Sequence, residues 1–378
     1  MCDALPPPSF LRPRFAATLA RSPPRVLRTG MIEVHPPENN DDTNSSTRRR
    51  VWSTHWRRGP LHSLSGSFAL NYEGSIRRFW IEAFSPLGAT HRILDVGTGN
   101  GPLPALLCEL GSPDMPRVDA VDSADIDPAW LAAAPARCRD ALRFHPDTPA
   151  ERLPFADDTF DLVVSQYGLE YAEPERAIPE VARVLRPSGS VALIVHHAGS
   201  RLADVAREEI RLGEWLHAQG QLMATASAIF PYLAIAAQGR GEHLAADPDA
   251  GAARDALNAA MRQLDDEAAR SPCPDLLFEA RDVVGALMQR LLARTITLEQ
   301  ARAAHAAHAS ALDDAVFRQR ELLRHALDAD AVAAFSSVLQ SSGLSDADVA
   351  PLFHEQYLVG WTIRATGPAH GGGAGGNG

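Results

Sequence analysis

Short apolar segments alternate with stretches of helical periodicity across residues 91–199. The apolar segments predict strands at residues 93–96, 117–121, 142–145, 160–165 and 190–196. The intervening stretches predict helices at residues 103–110, 128–134 and 177–185. Alternation of this kind is typical of a parallel, doubly wound α/β sheet with right-handed crossovers, which binds ligands beyond the carboxyl ends of its strands.

The pattern changes after the fifth predicted strand. Residues 200–345 are rich in alanine, follow helical periodicity and contain no convincing strand, so we predict an inserted helical subdomain. Residues 346–367 include an alternating segment from Leu358 to Ala365, which predicts the last strand of the sheet. A glycine-rich tail follows at residues 368–378.

The chain before the first strand divides into two parts. Residues 1–50 lack apolar periodicity and are rich in Pro, Arg, Asn and Ser, which predicts disorder. The first 30 of them resemble a transit peptide, although a true start of translation near Met31 explains the same composition. Residues 51–90 carry several aromatic side chains and a helical pattern from Ser75 to Phe84.

Composition narrows the classes of function. A net charge of −11 and a pI near 5.7 argue against a protein that binds nucleic acids in general or anionic membrane surfaces. No apolar run approaches about 18 residues, so we predict no transmembrane helix. The four cysteines, at positions 2, 108, 138 and 273, have no zinc-site spacing. We therefore expect neither a disulfide framework nor a metal site, interpret Cys108 as a small buried hydrophobe, and predict a cytoplasmic protein.

The most distinctive stretch is RILDVGTGNG at residues 92–101, which predicts a strand, a glycine-rich turn and then a helix. Such a turn lets the backbone approach a ligand closely, and the helix start offers unpaired N–H groups. Pro102 stands where the dinucleotide fingerprint G-x-G-x-x-G requires its third glycine, which disfavours a Rossmann oxidoreductase. The chain contains no lysine, which excludes a P-loop.

A carboxylate at the end of the second predicted strand is the next candidate. Asp122 in that position can accept hydrogen bonds from both ribose hydroxyls of an adenosine ligand. The polar residues that follow blur the end of the strand, so Asp125 is an alternative. We favour Asp122 and leave both open.

Together with DDTFDLVVSQYGLE at residues 157–170 and EVARVLRPSGS at residues 180–190, the D-x-G-x-G-x-G run resembles the class I S-adenosylmethionine-dependent methyltransferases, in particular their type 11 domain. The resemblance implies a Rossmann-like, mostly parallel seven-stranded sheet whose last strand is antiparallel. It implies S-adenosylmethionine as the cofactor. It also implies that the segment at residues 51–90 folds over the cofactor, with Tyr72 as a candidate cover.

The family's site residues can be carried over by position. The glycine loop would wrap the amino-acid part of the cofactor, and Asp95 would orient the loop and the ammonium group. Pro149 stands where the family places the acid that contacts adenine, so we divide that contact between Asp147 and N–H groups near Ala150. Gln166 would line the methyl-transfer face. The implied cofactor-binding residues are Asp95, Gly97, Thr98, Gly99, Asn100, Gly101, Asp122, Ser123, Asp147 and Gln166.

Methyl transfer from a sulfonium is an in-line displacement, so a general base is needed only if the acceptor loses a proton. His196 and His197 end the fifth predicted strand, and because side chains alternate along a strand, at most one of them faces the site. Tyr167 is a further weak candidate, and Glu170 and Tyr171 are comparable alternatives.

The sequence thus predicts a methyltransferase that acts on a small or medium-sized molecule. The insertion leaves the core at the ligand edge, so we expect it to form a lid, and it could instead mediate a homodimer. Two alternatives remain open: a protein or RNA methyltransferase, and a scaffold that keeps the fold without activity.

Overall fold

The structure is a computed structural model that describes residues 41–64 and 70–367. The chain forms two compact units. Unit 1 comprises the described residues up to Arg201 and from His325 onward, and unit 2 comprises Leu202–Arg324.

Unit 1 is built on one seven-stranded sheet with the strand order β3-β2-β1-β4-β5-β7-β6. Strands β1 to β5 run parallel, and β7 is antiparallel to both of its neighbours, β5 and β6. The predicted fold is therefore confirmed. The strands are β1 Arg92–Val96, β2 Arg117–Val121, β3 Leu142–His145, β4 Phe160–Gln166, β5 Leu185–Val195, β6 Ser345–His354 and β7 Tyr357–Thr366.

The helices begin with α1, which spans Asp41–Arg57 ahead of the first strand. The others, in chain order, are α2 Gly74–Phe84, α3 Pro102–Leu110, α4 Trp130–Ala133, α5 Ala136–Ala141, α6 Pro174–Val184, α7 Arg201–His217, α8 Leu222–Ile235, α9 Gly241–Ala245, α10 Pro248–Arg270, α11 Asp275–Leu292, α12 Leu298–His325 and α13 Ala329–Ser341. A single 3₁₀ turn, Leu169–Tyr171, follows β4.

The local sequence explains where α3, the helix after the glycine loop, starts and stops. Pro102 occupies its first turn, where a fixed φ favours a helix and no N–H is needed. Gly111 ends it in the left-handed region, at φ 70°. The predicted helix at 103–110 is thus confirmed within one residue.

The sheet is held by an apolar core that strands and helices share. Strand side chains such as Leu94, Val163 and Leu193 are fully buried in it. Ile178 of α6 and Phe335 of α13 pack into the same cluster. Helix α13 therefore belongs to unit 1, and the inserted unit is shorter than the predicted 200–345.

Two further predictions about the elements were wrong. Helix α1 replaces the disorder predicted for residues 41–50, because Val51 and Trp56 at its end are buried. The rest of that prediction and the glycine-rich tail lie outside the described residues. The helix predicted to begin at 128–134 ends already at Ala133, and a second short helix, α5, follows Pro135, because the residue before Pro135 is held in an extended conformation.

Unit 2 has its own apolar core, to which Leu222 and Phe230 of α8, Leu264 of α10 and Leu277 of α11 contribute. The helical run Arg201–Ala245 contains an 18-residue window with a mean hydropathy of 1.3 and one third of its residues buried. Contrary to our expectation, a run of that length is therefore present. By length and composition alone it could cross a membrane, and core helices of globular domains share that property.

A disulfide joins Cys108 of α3 to Cys138 of α5, with 5.8 Å between the Cα atoms. This corrects the expectation that disulfides are absent and that Cys108 is only a small hydrophobe. The bridge links the helix that follows the glycine loop to the helix that precedes β3.

Reduction of this disulfide should destabilise unit 1. The bridge closes a loop of 30 residues, for which the chain-entropy model gives about 3 to 4 kcal/mol. We expect a reducing agent to lower the Tm of the wild-type protein and to leave the Tm of a Cys108→Ser/Cys138→Ser double variant unchanged. An equal Tm for the wild type with and without reductant would contradict the bridge.

Candidate functional site

Three glycines shape the loop that follows β1. Gly97, Gly99 and Gly101 have φ values of 69°, 55° and 76°, a region that disfavours other residues. Each also has a close neighbour. A Cβ atom at Gly97 would lie 2.8 Å from Cα of Gly168, and one at Gly99 would lie 2.6 Å from the Trp56 ring. The loop thus depends on glycine for both conformation and space.

The carboxyl group of Asp122 joins the end of β2 to this loop. It accepts hydrogen bonds from the backbone N–H of Gly99 and of Ala124, each at 2.8 Å. Asp125, the alternative that the sequence left open, has a side chain that is 57% exposed and lies 3.6 Å from Arg57. The geometry therefore favours Asp122 as the acid at the glycine loop.

A second buried carboxyl group lies beneath the loop. Asp95 is 2% exposed and accepts a hydrogen bond from Thr98 Oγ1 at 2.6 Å. Burial, and then the nearby charge of Asp122, raises the pKa of Asp95 to about 7. Burial likewise raises the pKa of Asp122 to about 6. Two neighbouring carboxyl groups in one buried place are suited to a ligand that brings positive charge and hydroxyl donors.

Helix α1 lies along the carboxyl edge of the sheet. On the side of β2 and β3, Ser53 Oγ accepts the N–H of Asp125 at 2.9 Å. The Arg49 side chain forms an ion pair with Asp147 just after β3. Sequence reasoning missed this role because it treated the start of α1 as disordered.

The same helix also reaches the loops after β1 and β4. Asn100 Nδ2 donates to the carbonyl oxygen of Trp56 at 2.8 Å. Arg48 Nη1 donates to the carbonyl oxygen of Tyr171 at 3.0 Å. Helix α1 therefore contacts the loops that follow four consecutive strands of the sheet, and it extends the predicted cover at residues 51–90 toward the N-terminus.

Aromatic side chains lie at the ends of β4 and β5. Tyr167 has φ 53°, donates its hydroxyl to the Val359 carbonyl oxygen at 3.0 Å, and stacks on the His196 ring with 4.2 Å between centroids. Gln166 accepts a hydrogen bond from the indole N–H of Trp80, which lies on α2. Tyr167 and Gln166, on the predicted methyl-transfer face, thus each have a partner on another element of the sheet or on α2.

The two candidate histidines have different environments. His196 is 2% exposed, and burial lowers its pKa to about 3. His197 stacks on Trp361, with 4.3 Å between centroids, and is only partly buried. Only His196 joins the cluster that contains Tyr167, so His197 is not placed at the site.

Tyr72, the predicted cover, is buried at 2% exposure. Its ring stacks on His62 with 4.8 Å between centroids. Burial raises the pKa of Tyr72 well above its usual range, and the nearby Tyr167 and Asp95 raise it further.

Two of the predicted cofactor-binding residues do not join the buried group around the glycine loop. Ser123 and Asp147 are exposed, and Asp147 has φ 55° and faces Arg49. Within the described ranges, no group of three His, Cys, Asp or Glu residues could hold a metal ion. The residues that meet around the glycine loop are Asp95, Gly97, Thr98, Gly99, Asn100, Gly101 and Asp122.

The raised pKa of Asp95 predicts a stability that depends on pH. Because the folded-state pKa exceeds the unfolded value, the folded protein binds a proton that the unfolded chain releases, and stability falls as pH rises from about 4 to about 7. The Asp95→Asn variant has no carboxyl group at this position, so its stability should not show this decrease with pH. Between pH 5 and pH 8 the Tm of the wild type should fall by about 5 °C more than that of the variant. Parallel pH profiles of the two proteins would contradict the buried carboxyl.

Residues 94–193 match the family model of the methyltransferase domain. An uncharacterized protein of Mycobacterium tuberculosis is 29% identical over 169 residues, which are 43% of this chain and 55% of the relative. An uncharacterized methyltransferase of the same organism is 36% identical over 115 residues, which are 30% of this chain and 43% of the relative. The chain thus spans about half the length of the curated relatives that it matches.

A solved structure of the Burkholderia thailandensis 1,6-didemethyltoxoflavin-N1-methyltransferase, with bound 1,6-didemethyltoxoflavin and S-adenosylhomocysteine, is 22% identical to the chain. The alignment covers 43% of this chain and 68% of that chain, with a TM-score of 0.35. The matched segment runs from β1 to β5 and carries the glycine loop, Asp122 and the β4 motif. Residues 94–193 are thus similar to the methyltransferase domain, and this similarity agrees with the class I S-adenosylmethionine-dependent family that the glycine loop and the β4 motif indicate.

Proposed function

We propose that the protein is an S-adenosylmethionine-dependent methyltransferase that acts on a small or medium-sized acceptor. The observation that carries this proposal is the pair of buried carboxyl groups, Asp95 and Asp122, on the two sides of one glycine loop. The cofactor has the complementary groups, an ammonium at one end and two ribose hydroxyls in the middle.

The residues present fit the cofactor. Asp122 is held by two backbone N–H groups, and a carboxylate has further lone pairs to accept from the ribose hydroxyls. Asp95 uses one oxygen for Thr98 and can compensate the ammonium charge. Two like charges that are buried side by side repel each other, so a ligand that brings a positive charge and hydroxyl donors to them gains affinity.

The chain's own contribution to the chemistry is binding, orientation and exclusion of water. The cofactor supplies a methyl group that is already activated by the sulfonium. The glycine loop and the two carboxyl groups would fix one end of the cofactor, and the buried side chains of Tyr72, Tyr167 and His196 would bound the methyl-transfer face. Holding two reactants in line supplies a large part of the catalysis of such a displacement.

The small-acceptor part of the proposal is supported by the acidic charge of the chain, −11, which disfavours RNA as a substrate. It is supported also by the position of unit 2 in the chain, directly after β5. We propose that unit 2 supplies the acceptor-binding surface as a lid. We propose a homodimer formed through unit 2 as the alternative to a lid, and we propose a cytoplasmic location.

Cofactor binding should depend on Asp122 and not on Asp125. Asp122→Ala removes the acceptor for the ribose hydroxyls and releases the glycine loop, so we expect binding of S-adenosylhomocysteine to weaken by about 30-fold or more. Asp125→Ala is the matched control, since that side chain is mostly exposed, and its affinity should stay within about threefold of the wild type. Isothermal titration calorimetry measures both.

The transfer reaction is tested with methyl-labelled S-adenosylmethionine and a fractionated lysate as the source of acceptors. We expect label in the low-molecular-weight fraction with the wild type and with Asp125→Ala, and none with Asp122→Ala. Label in protein or RNA would overturn the small-acceptor proposal, and failure of the wild type to bind the cofactor would end the main one.

Unit 2 can be deleted because the chain leaves unit 1 and returns to it at neighbouring points. The chain leaves unit 1 at Arg201 and returns at His325, and Leu327 pairs with the segment before the exit through Leu327 N–H to His196 O at 2.8 Å. A short glycine linker in place of residues 202–324 should therefore leave cofactor affinity within about threefold, while label transfer is lost. Unchanged transfer by the shortened protein would contradict the lid.

A further inference from the structure

Glu170 is a buried acid that neither the cofactor site nor the fold fully uses. It lies in the 3₁₀ turn that follows β4 and is 4% exposed. Its Oε1 accepts the backbone N–H of His196 at 2.9 Å. Its Oε2 is also buried and has no hydrogen-bond partner among the residues that the structure describes. The carboxyl group is thus fixed by one oxygen and has the other available.

The turn that carries Glu170 rests against the glycine loop. Ser165 Oγ donates to the Val96 carbonyl oxygen at 2.7 Å and accepts the Leu169 N–H at 2.9 Å. The backbone at Gly168 is in direct contact with Gly97. Glu170 is therefore two residues from the point where the ends of β4 and β1 meet, at the edge where such sheets bind ligands.

The surroundings of Glu170 favour a proton acceptor that works near neutral pH. Burial raises its pKa to about 8, although backbone N–H groups, that of His196 first among them, oppose the rise. A base is most effective when its pKa lies near the working pH. The charge of Glu170 acts on Tyr167, and its carboxyl group accepts the backbone N–H of His196. Beyond these two, the Tyr171 ring faces the rings of His196 and His325, and Arg48 binds the Tyr171 carbonyl oxygen and the His325 ring.

We propose that Glu170 receives the proton that the methyl acceptor gives up, and that the acceptor therefore carries a removable proton on the oxygen, nitrogen or carbon that is methylated. This inference rests on the proposed function. The atom X of an X–H group attacks the methyl carbon, and an X–C bond forms. The sulfur–carbon bond breaks with its electron pair left on sulfur, the sulfonium becomes a neutral thioether, and the proton passes to Oε2 of Glu170.

This assignment replaces His196, the candidate that sequence reasoning placed at the same edge. The imidazole of His196 is stacked on Tyr167, and its lowered pKa makes it a poor proton acceptor at neutral pH. Its backbone N–H instead holds the carboxyl group of Glu170 in place. His196 is in this sense a positioning residue.

The role of Glu170 can be tested without a methyl acceptor, because the positive charge of the sulfonium should change the protonation of its carboxyl group. In the cofactor-free protein at pH 7 the carboxyl of Glu170 is mostly protonated, since its pKa is about 8. A cation placed near a carboxyl group lowers its pKa by about one to three units. Binding of S-adenosylmethionine should therefore release about half a proton more than binding of S-adenosylhomocysteine, which lacks the charge. Calorimetry in two buffers of different ionisation enthalpy measures the release.

The variants separate this role from a structural one. Glu170→Gln keeps an oxygen for the His196 N–H, so it should bind both ligands and lose the difference in proton release. Glu180→Gln is the matched control, because Glu180 also accepts a backbone N–H, that of Leu153, at 2.8 Å, and the difference should persist there. Circular dichroism checks that both variants are folded.

Each outcome bears on one of the two proposals. If the wild type binds neither ligand, the proposed function fails and this inference fails with it. If both ligands bind and the difference in proton release is absent in the wild type or persists in Glu170→Gln, this inference alone is overturned. A labelled product that is a sulfonium or quaternary ammonium ion would also overturn it, since such a methylation releases no proton.

Discussion

The loop between β1 and α3 has no room for side chains at its three glycines, and the rest of the site is arranged around that constraint. Gly97 meets the backbone after β4, Gly99 meets Trp56 of α1, and Gly101 meets the ring of Phe144 on β3. Asp122 fixes the same loop from β2 by accepting the Gly99 N–H. One short turn thus brings four strand ends and a helix together, and the two buried carboxyl groups are side by side as a consequence.

The parts of the fold that depend on local patterns were accessible from the sequence. The central strands β1 and β4 are short apolar runs, because they are buried on both faces, and an acid marks the ends of β1 and β2: Asp95 is the last residue but one of β1, and Asp122 directly follows β2. The glycine loop could be predicted from the sequence, since the positive φ values of Gly97, Gly99 and Gly101 require glycine at those three positions. The choice between Asp122 and Asp125 could not be made from the sequence, because it depends on which of the two carboxyl groups points toward the core after β2.

The features that sequence reasoning missed depend on contacts between distant parts of the chain. Helix α1 is polar for most of its length and gains its partners only from the loops after the strands. Cys108 and Cys138 have no motif, and their pairing follows from the packing of α3 against α5. Glu170 was one of several candidate bases in the sequence, and the feature that distinguishes it, a buried second oxygen without a partner, depends on β5, where the His196 N–H holds the first oxygen.

We propose that Asp95, Asp122 and the glycine loop form one cofactor site, and a crystal structure of the protein with S-adenosylhomocysteine would decide it. We expect the ribose hydroxyls on the carboxyl group of Asp122, the amino-acid end of the ligand at the loop near Asp95, and α1 over the ligand. A ligand bound elsewhere, with no contact to the Asp122 carboxyl group, would show that these residues do not form the cofactor site.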